Sequence, residues 1–146
     1  MNEIIETVSR EQIEALQAEM QRHPQAQLDT RHYWADGMYC RELFRPAGTT
    51  IVGKVHKKEH FLIIAQGTIR VWTEHGMKTV TAPFIWVSQP GTKRATYALT
   101  DATVITVHRC TERNLIRLES ELVEDDPQAM YLPGNILKAL QIEDAT

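Results

Sequence analysis

One stretch, GKVHKKEHFLIIAQG from Gly53 to Gly67, decides how this chain should fold. It places His56 and His60 four residues apart, a spacing that on a helix would put both imidazoles on one face. The neighbouring runs argue against a helix, because they are rich in β-branched and aromatic residues and are cut by glycine. A straight strand also fails, since a rise of about 3.3 Å per residue would hold the rings roughly 13 Å apart. The stretch therefore predicts two strands joined by a tight turn over residues 57–59, with the two histidines brought back toward each other.

Size and composition indicate one ordinary globular domain. The chain has 146 residues, of which 42% are hydrophobic and 24% charged, and a formal net charge of -3. This length fits a single domain over residues 1–146 with a buried core. The basic residues are scattered, so we expect no nucleic-acid partner. No apolar run approaches the roughly 20 residues that span a bilayer, so we expect no membrane partner.

The N-terminus and the cysteines suggest a compartment. Residues 1–6 lack the basic start and apolar core of a signal peptide, so we expect a cytoplasmic protein. The cysteines are Cys40 and Cys110, and in a reducing compartment both should be free thiols.

Two segments outside the middle of the chain have helical spacing. Ser9 and Gln12 form a capping box ahead of recurring apolar residues, which predicts a helix over residues 9–22. This helix either covers one face or end of a sheet or serves in dimerisation. A stripe of leucines predicts a second helix over residues 111–124, whose acidic residues, Glu119 among them, are expected to face water.

The middle of the chain, residues 38–109, reads as a series of short strands. From Thr68 onward these strands recur about every ten residues and are separated by glycine and proline turns. That spacing indicates an all-β sandwich or barrel. The tail, residues 125–146, is broken by prolines, and a short helix is expected over residues 136–140.

The pattern around the two histidines resembles the first motif of the cupin superfamily, a group of small jelly-roll β-barrels. That motif reads Gly, His-x-His, three or four residues, Glu, six residues, Gly. Counting back from Gly67, the Glu place falls on His60, the second His place on His56 and the first His place on Lys54. The chain thus keeps one motif histidine and has histidine in place of glutamate.

The second cupin motif, Pro-x-Gly-x-x-His, is looser here, since residues 90–94 keep the turn but put Arg94 at the place of the histidine. The resemblance covers residues 41–109 and implies a cupin-like jelly-roll barrel with flanking N-terminal and C-terminal α-helices. It also implies a homodimer, because jelly rolls of this kind tend to pair through their sheets. The order of elements also looks like that of small cupin-like proteins encoded in tailed phages and prophages.

His56 and His60 are the best candidates for metal ligands, because neutral imidazole suits divalent transition metals such as Zn, Fe, Mn or Ni. A catalytic site needs a third ligand, and Arg94 cannot serve because its guanidinium stays protonated. His108, at the end of the last strand, is the leading candidate. The more apolar side of that strand does not include His108, so alternation points it away from the interior unless the strand end is distorted. The alternative is that His56 and His60 are ordinary barrel-mouth residues bonded to backbone or water.

Positive charge is expected at the same mouth. The cupin register places Lys93 and Arg94 there with Lys54, and Tyr97 follows on the strand that begins at Arg94. Fixed cations beside imidazoles suit an anionic ligand such as a carboxylate or phosphate. The same cations oppose a metal unless an anionic ligand bridges the two. The alternative for Lys93 and Arg94 is a solvated turn or a salt bridge to an acidic helix.

Three functions are therefore open. The favoured one is a metal-dependent protein acting on a small anionic molecule, by hydrolysis, isomerisation or oxygenation. The second is a metal-free module that binds or sequesters a small anionic metabolite. The third is a phage accessory or structural protein that uses the fold only for contacts, in which case side chains should plug the barrel mouth.

Overall fold

Two antiparallel β-sheets face each other in the computed structural model of the protein, which describes residues 8–137. The five-stranded sheet has the order β1-β2-β9-β4-β7, and the four-stranded sheet has the order β3-β8-β5-β6. The all-β prediction is confirmed. The strands are β1 Asp29–Ala35, β2 Met38–Arg45, β3 Thr50–Val52, β4 His60–Gln66, β5 Thr68–Thr73, β6 Gly76–Thr81, β7 Phe84–Ser88, β8 Ala95–Ala98 and β9 Ala102–Arg109.

Helices α1, Arg10–Met20, and α2, Leu115–Leu122, flank the sheets. The capping box of α1 is present, because Ser9 Oγ accepts from the backbone N–H of Gln12 while the Gln12 side chain accepts from the backbone N–H of Ser9. Neither helix, nor any other within residues 8–137, has the length and apolar character needed to cross a membrane.

Helix α2 is shorter than the predicted span of residues 111–124. It begins after Asn114, whose side-chain oxygen accepts from the backbone N–H groups of the second and third residues that follow. The helix ends at Leu122 because Val123 is extended and forms a β-bridge with His56. This bridge connects the C-terminal end of α2 to the loop that carries His56.

The tail forms a hairpin of two short strands, β10 Tyr131–Leu132 and β11 Ile136–Leu137. Between them, Gly134 and Asn135 have φ angles of 80° and 60°, a left-handed backbone that reverses the chain. The expected helix over residues 136–140 is therefore wrong for its first two residues, while residues 138–140 lie outside the described part of the chain.

Buried clusters join the helices to the sheets. Ile13 of α1 packs with Val52 and Ala95, so this helix covers the four-stranded sheet. From α2, Leu118 packs with Tyr39 on the five-stranded sheet. The thiols of both cysteines are free, as predicted. Between the sheets, a further cluster consists of Ile64, Ile69, Val71, Val80 and Ala102.

Gly67 closes the tight connection between β4 and β5. Its φ of 89° lies in the left-handed region that side chains disfavour. A Cβ atom here would overlap the carbonyl oxygen of Asp101 and lie 2.9 Å from the Cα of Ala102. The motif glycine is therefore required both by its backbone angle and by the close approach of the β8–β9 connection.

Candidate functional site

Three histidines from separate parts of the chain meet at one end of the sheets. His60 begins β4, His108 lies near the end of β9, and His56 lies in the loop between β3 and β4. The backbone of His56 is held in place because its carbonyl oxygen accepts from the Gly91 N–H at 3.0 Å. The next residue, Lys57, donates its backbone N–H to Leu122 at 2.8 Å. The chain reversal predicted between His56 and His60 is present, but the strand expected to deliver His56 ends at Val52, so residues 53–59 form a loop between strands of different sheets.

We call His56, His60 and His108 the histidine triad. Their ring centroids lie 4.2 Å apart for His56 and His60, 4.6 Å for His60 and His108, and 5.4 Å for His56 and His108. One nitrogen from each ring can be chosen so that all three lie within 4.8 Å of one another. The three side chains could therefore hold a single metal ion.

His108 points into the protein, against the expectation from strand alternation. It is 3% exposed, and β9 pairs with β2 in unbroken register through this position. No distortion of the strand end is needed, because the inner side of β9 is the side that carries Val104 and Thr106. The expectation was wrong because the more apolar side of β9 lies on the outer face of the five-stranded sheet.

The triad imidazoles are neutral at physiological pH. Burial, followed by the neighbouring His60 and Arg41, lowers the pKa of His56 to about 2. Burial, again followed by His60 and Arg41, lowers the pKa of His108 to about 3, and burial also lowers the pKa of His60. Neutral imidazole is the form that binds metals.

Several triad nitrogens are buried without a partner. The Nδ1 of His60 donates to the carbonyl oxygen of Lys58 at 3.2 Å, which leaves the lone pair of Nε2 free. That Nε2 and both ring nitrogens of His56 have no hydrogen-bond partner within residues 8–137. Buried polar atoms are normally paired. A metal ion could accept the lone pair of His60 Nε2 and that of one His56 nitrogen, while the other His56 nitrogen carries the proton of the neutral ring.

Two members of the triad, His56 and His60, line a cavity of ≈ 180 Å³ between the two sheets. Its wall is largely aliphatic, with Leu62, Ile64 and Val104 among the lining residues. Four cationic side chains and one carboxylate also line it. These five charged residues are Arg41, Arg45, Lys54, Arg94 and Glu119.

Glu119 partly balances this positive charge. Its side chain is 9% exposed, and it accepts from Arg41 at 3.3 Å and from Lys54 at 3.2 Å. The expectation that Glu119 faces water was wrong. It lies four residues after Leu115 and three before Leu122, so it shares the buried stripe of α2 with the leucines.

Comparisons with known proteins point to one fold. No protein-family model matches this sequence, and a search of curated proteins finds no match. Among solved structures, a cupin superfamily protein from Desulfitobacterium hafniense DCB-2 aligns with a TM-score of 0.52 and 8% identity, over 64% of this chain and 86% of that one. The fold is cupin-like.

Two further solved structures that match are those of named proteins. KdgF from Halomonas sp. aligns with a TM-score of 0.50 and 14% identity, over 60% of this chain and 87% of that one. Salicylate 1,2-dioxygenase from Pseudoaminobacter salicylatoxidans aligns with a TM-score of 0.55 and 11% identity, over 80% of this chain and 35% of that one. At such identities the likeness concerns the fold alone.

Of the three cations predicted at the barrel mouth, Arg94 and Lys54 line the cavity and Lys93 does not. Arg94 lines the cavity, donates to Ser88 Oγ and has its guanidinium carbon 5.8 Å from the centre of the Trp86 ring. Lys54 also lines the cavity, where it pairs with Glu119. Both residues therefore line the same cavity as His56 and His60.

Lys93 and Tyr97 do not line this cavity, so their expected position at the mouth was wrong. Lys93 points away from Arg94, and its Nζ pairs with Asp126 at 2.9 Å. Lys93 therefore forms an ion pair, as the alternative interpretation of the sequence expected, and its partner lies in the segment that follows α2. Tyr97 follows Thr96, which lines the cavity, so alternation directs Tyr97 to the other face of β8, with its hydroxyl beside Gly48.

Sequence reasoning missed three charged residues of the cupin-like interior: Arg41, Arg45 and Glu119. A signal for the arginines was present, since Tyr39, Arg41 and Arg45 share one side of β2 by alternation. Glu119 likewise occupies a helical position shared with leucines. In each case the charge suggested a solvated side chain, while the periodicity indicated the buried side.

Proposed function

We propose that this protein binds a divalent transition metal at the histidine triad and acts on a small anionic molecule held in the adjoining cavity. The observation that carries the proposal is the meeting of three neutral imidazoles, two buried and one half-buried, beside a cavity with four cationic side chains and one carboxylate. Imidazole suits Zn, Fe, Mn and Ni.

In this proposal the histidine triad and Arg94 have different roles. His56, His60 and His108 would hold the metal, which when bound supplies Lewis acidity or an activated water. Arg94 would orient the anion, since its guanidinium is braced by Ser88 and Trp86 and forms no ion pair with a carboxylate of residues 8–137. A three-histidine donor set serves several reaction classes, so the proposal extends to the kind of substrate and not to the reaction.

A second candidate, a metal-free module that binds a small anion, is favoured by the same charges. The cations on the cavity wall repel a metal ion, and Arg41 and Arg94 are among the groups that disfavour positive charge on His56. An anionic ligand would satisfy them without a metal. The contacts-only reading of a phage accessory protein fits less well, because the cavity beside His56 and Arg94 is open, although Tyr97 does not line it.

We also propose that a second copy of the chain covers the outer face of the five-stranded sheet. Phe61, Ile85 and Val87 lie together on this face and are 50%, 64% and 47% exposed. A two-fold axis through this face would pack the apolar patch of one copy against the same patch of the other. These features support a homodimer.

Metal analysis of the purified protein tests the principal proposal. We expect one equivalent of a divalent transition metal per chain by inductively coupled plasma mass spectrometry. The double variant His56→Ala/His60→Ala should lose it, because a single remaining imidazole binds weakly.

The matched control is His23→Ala/His75→Ala, which removes two exposed histidines with side chains 64% and 76% exposed. It should retain the metal. Circular dichroism of both variants verifies folding. Absence of stoichiometric metal from the unaltered protein, or equal metal in the two double variants, would refute the metal site and leave the metal-free candidate.

A further inference from the structure

Arg45 is a buried cation that the proposed metal site does not use. It is 3% exposed and lies at the end of β2, opposite Ala102 in β9. His108 lies opposite Tyr39, six residues further along β9. At about 3.3 Å per residue, the two backbone positions are roughly 20 Å apart. Arg45 therefore enters the cavity wall far from the histidine triad.

The guanidinium of Arg45 is incompletely paired. It donates to Thr96 Oγ1 at 2.6 Å and to the carbonyl oxygens of Thr49 and Thr96 at 3.0 and 3.1 Å. These acceptors are neutral, and no carboxylate of residues 8–137 lies within 4.0 Å. Its Nε is buried without a hydrogen-bond partner in the same part of the chain. Arg41 and Lys54, by contrast, share the carboxylate of Glu119.

Burying a guanidinium without a counter-charge destabilises the folded protein, because the charged group loses its hydration and no ion pair compensates for that loss. Burial accordingly lowers the pKa of Arg45 to about 10, which still leaves the group protonated at neutral pH. An anion entering the cavity would supply the missing charge. The arrangement is therefore that of an anion-binding group at the far end of an apolar chamber.

We propose that Arg45 binds the carboxylate of a small aliphatic acid whose apolar body lies along the cavity toward the histidine triad. The wall between the two ends is aliphatic, with Leu43, Ile64 and Val104 lining it. Its volume of ≈ 180 Å³ exceeds that of an apolar cavity of about 150 Å³ that admits benzene. A chain of about six carbons is in this size range. The inference rests on the proposed function only for the chemistry at the end of the acid that lies near the histidine triad.

Hexanoate is the probe for this site, measured by isothermal titration calorimetry on the protein as purified and again after removal of metal with a chelator. We expect binding in both samples, since the Arg45 site contains no metal ligand. Neutral hexanamide should bind at least about tenfold more weakly, because it cannot offset the charge. From butanoate to hexanoate, affinity should rise by about fourfold per methylene as apolar surface is buried.

Variants assign the site. Arg45→Met keeps a long side chain without charge and should reduce hexanoate affinity at least about tenfold, while Arg45→Lys should retain part of it. The matched control is Arg70→Met, a strand arginine bonded to Thr79 in the next strand of the four-stranded sheet, which should leave affinity unchanged. A thermal melt verifies that each variant folds.

The outcomes separate this proposal from the metal site. Loss of hexanoate binding in Arg94→Met but not in Arg45→Met would overturn the proposal and place the carboxylate beside the triad. Absence of hexanoate binding by the unaltered protein, or equal affinity for hexanamide, would also overturn it. A protein that lacks metal yet binds hexanoate through Arg45 would refute only the metal site.

Discussion

Glu119 controls the charge balance of the cavity at the scale of single residues. Its carboxylate lies between Arg41 and Lys54, and all three groups are largely removed from water. Removing one member of a buried ionic cluster costs more than the cluster contributes, because the partners stay buried without a counter-charge. Glu119 therefore neutralises part of the positive charge that lines the cavity. It forms no ion pair with Arg94 or Arg45, which stay able to bind an anionic ligand.

Glu119→Gln should lower the free energy of unfolding by about 3 kcal/mol, measured by urea denaturation at pH 7. The glutamine fills the same space but offers no charge to the two cations. The control Glu124→Gln changes a carboxylate whose side chain is 48% exposed and should cost less than about 0.5 kcal/mol. Equal losses in the two variants would show that burial of the Glu119 ion pairs does not matter for stability.

At the scale of elements, the consecutive strands β4 and β5 connect the five-stranded sheet to the four-stranded sheet. His60 lies at one end of β4 and the tight connection at Gly67 at the other. The connection is pressed against the link between β8 and β9, where the Thr68 N–H donates to Thr100 Oγ1 at 3.0 Å. At the other end of β4, the direct pairing of β4 with β9, in which Phe61 lies opposite Val107, sets the relative position of His60 and His108.

Gly67→Ala should destabilise the protein by about 3 kcal/mol or more, since the new Cβ meets Asp101 and Ala102 and the backbone is left-handed. Gly53→Ala is the control, because no atom lies within 4 Å of a Cβ at that position. It should change stability by less than about 1 kcal/mol. Chemical denaturation compares the two, and a Gly67 variant as stable as the Gly53 variant would contradict the close approach.

At the scale of the whole molecule, the five-stranded sheet carries apolar side chains on both faces. One face lines the cavity, while the other exposes Phe61, Ile85 and Val87. Large exposed apolar patches mark interaction sites more often than solvated surfaces. The same feature explains why the orientation of His108 could not be obtained from alternation, since a strand with two apolar faces does not reveal which one is inside.

Ile85→Asp should convert the proposed homodimer into a monomer, as measured by size-exclusion chromatography with light scattering. A carboxylate placed on the apolar outer face would have to be buried in the dimer without a partner. Ile116→Asp is the control, because Ile116 is 70% exposed on α2, outside the sheet face, and should leave the dimer intact. A monomeric unaltered protein, or a dimer in the Ile85 variant, would refute the proposed dimer face.

Local patterns were enough to predict much of the fold. The capping box at Ser9 starts α1, and the runs between glycine and proline turns form the strands, because capping and alternation depend on neighbours in sequence. The helix expected over residues 136–140 failed at its start. Apolar residues in a short run suit either helix or strand, and the left-handed turn at Asn135 decides the matter.

The sequence alone determined that the chain reverses between His56 and His60, because the composition of residues 53–67 excludes both a helix and a straight strand. Only the tertiary structure decided that His108 joins them, that Arg94 turns inward while Lys93 turns to Asp126, and that Arg45 is buried without a carboxylate. The physical reason is the same throughout. A strand has two faces, and which of them becomes the interior depends on what packs against it from distant parts of the chain.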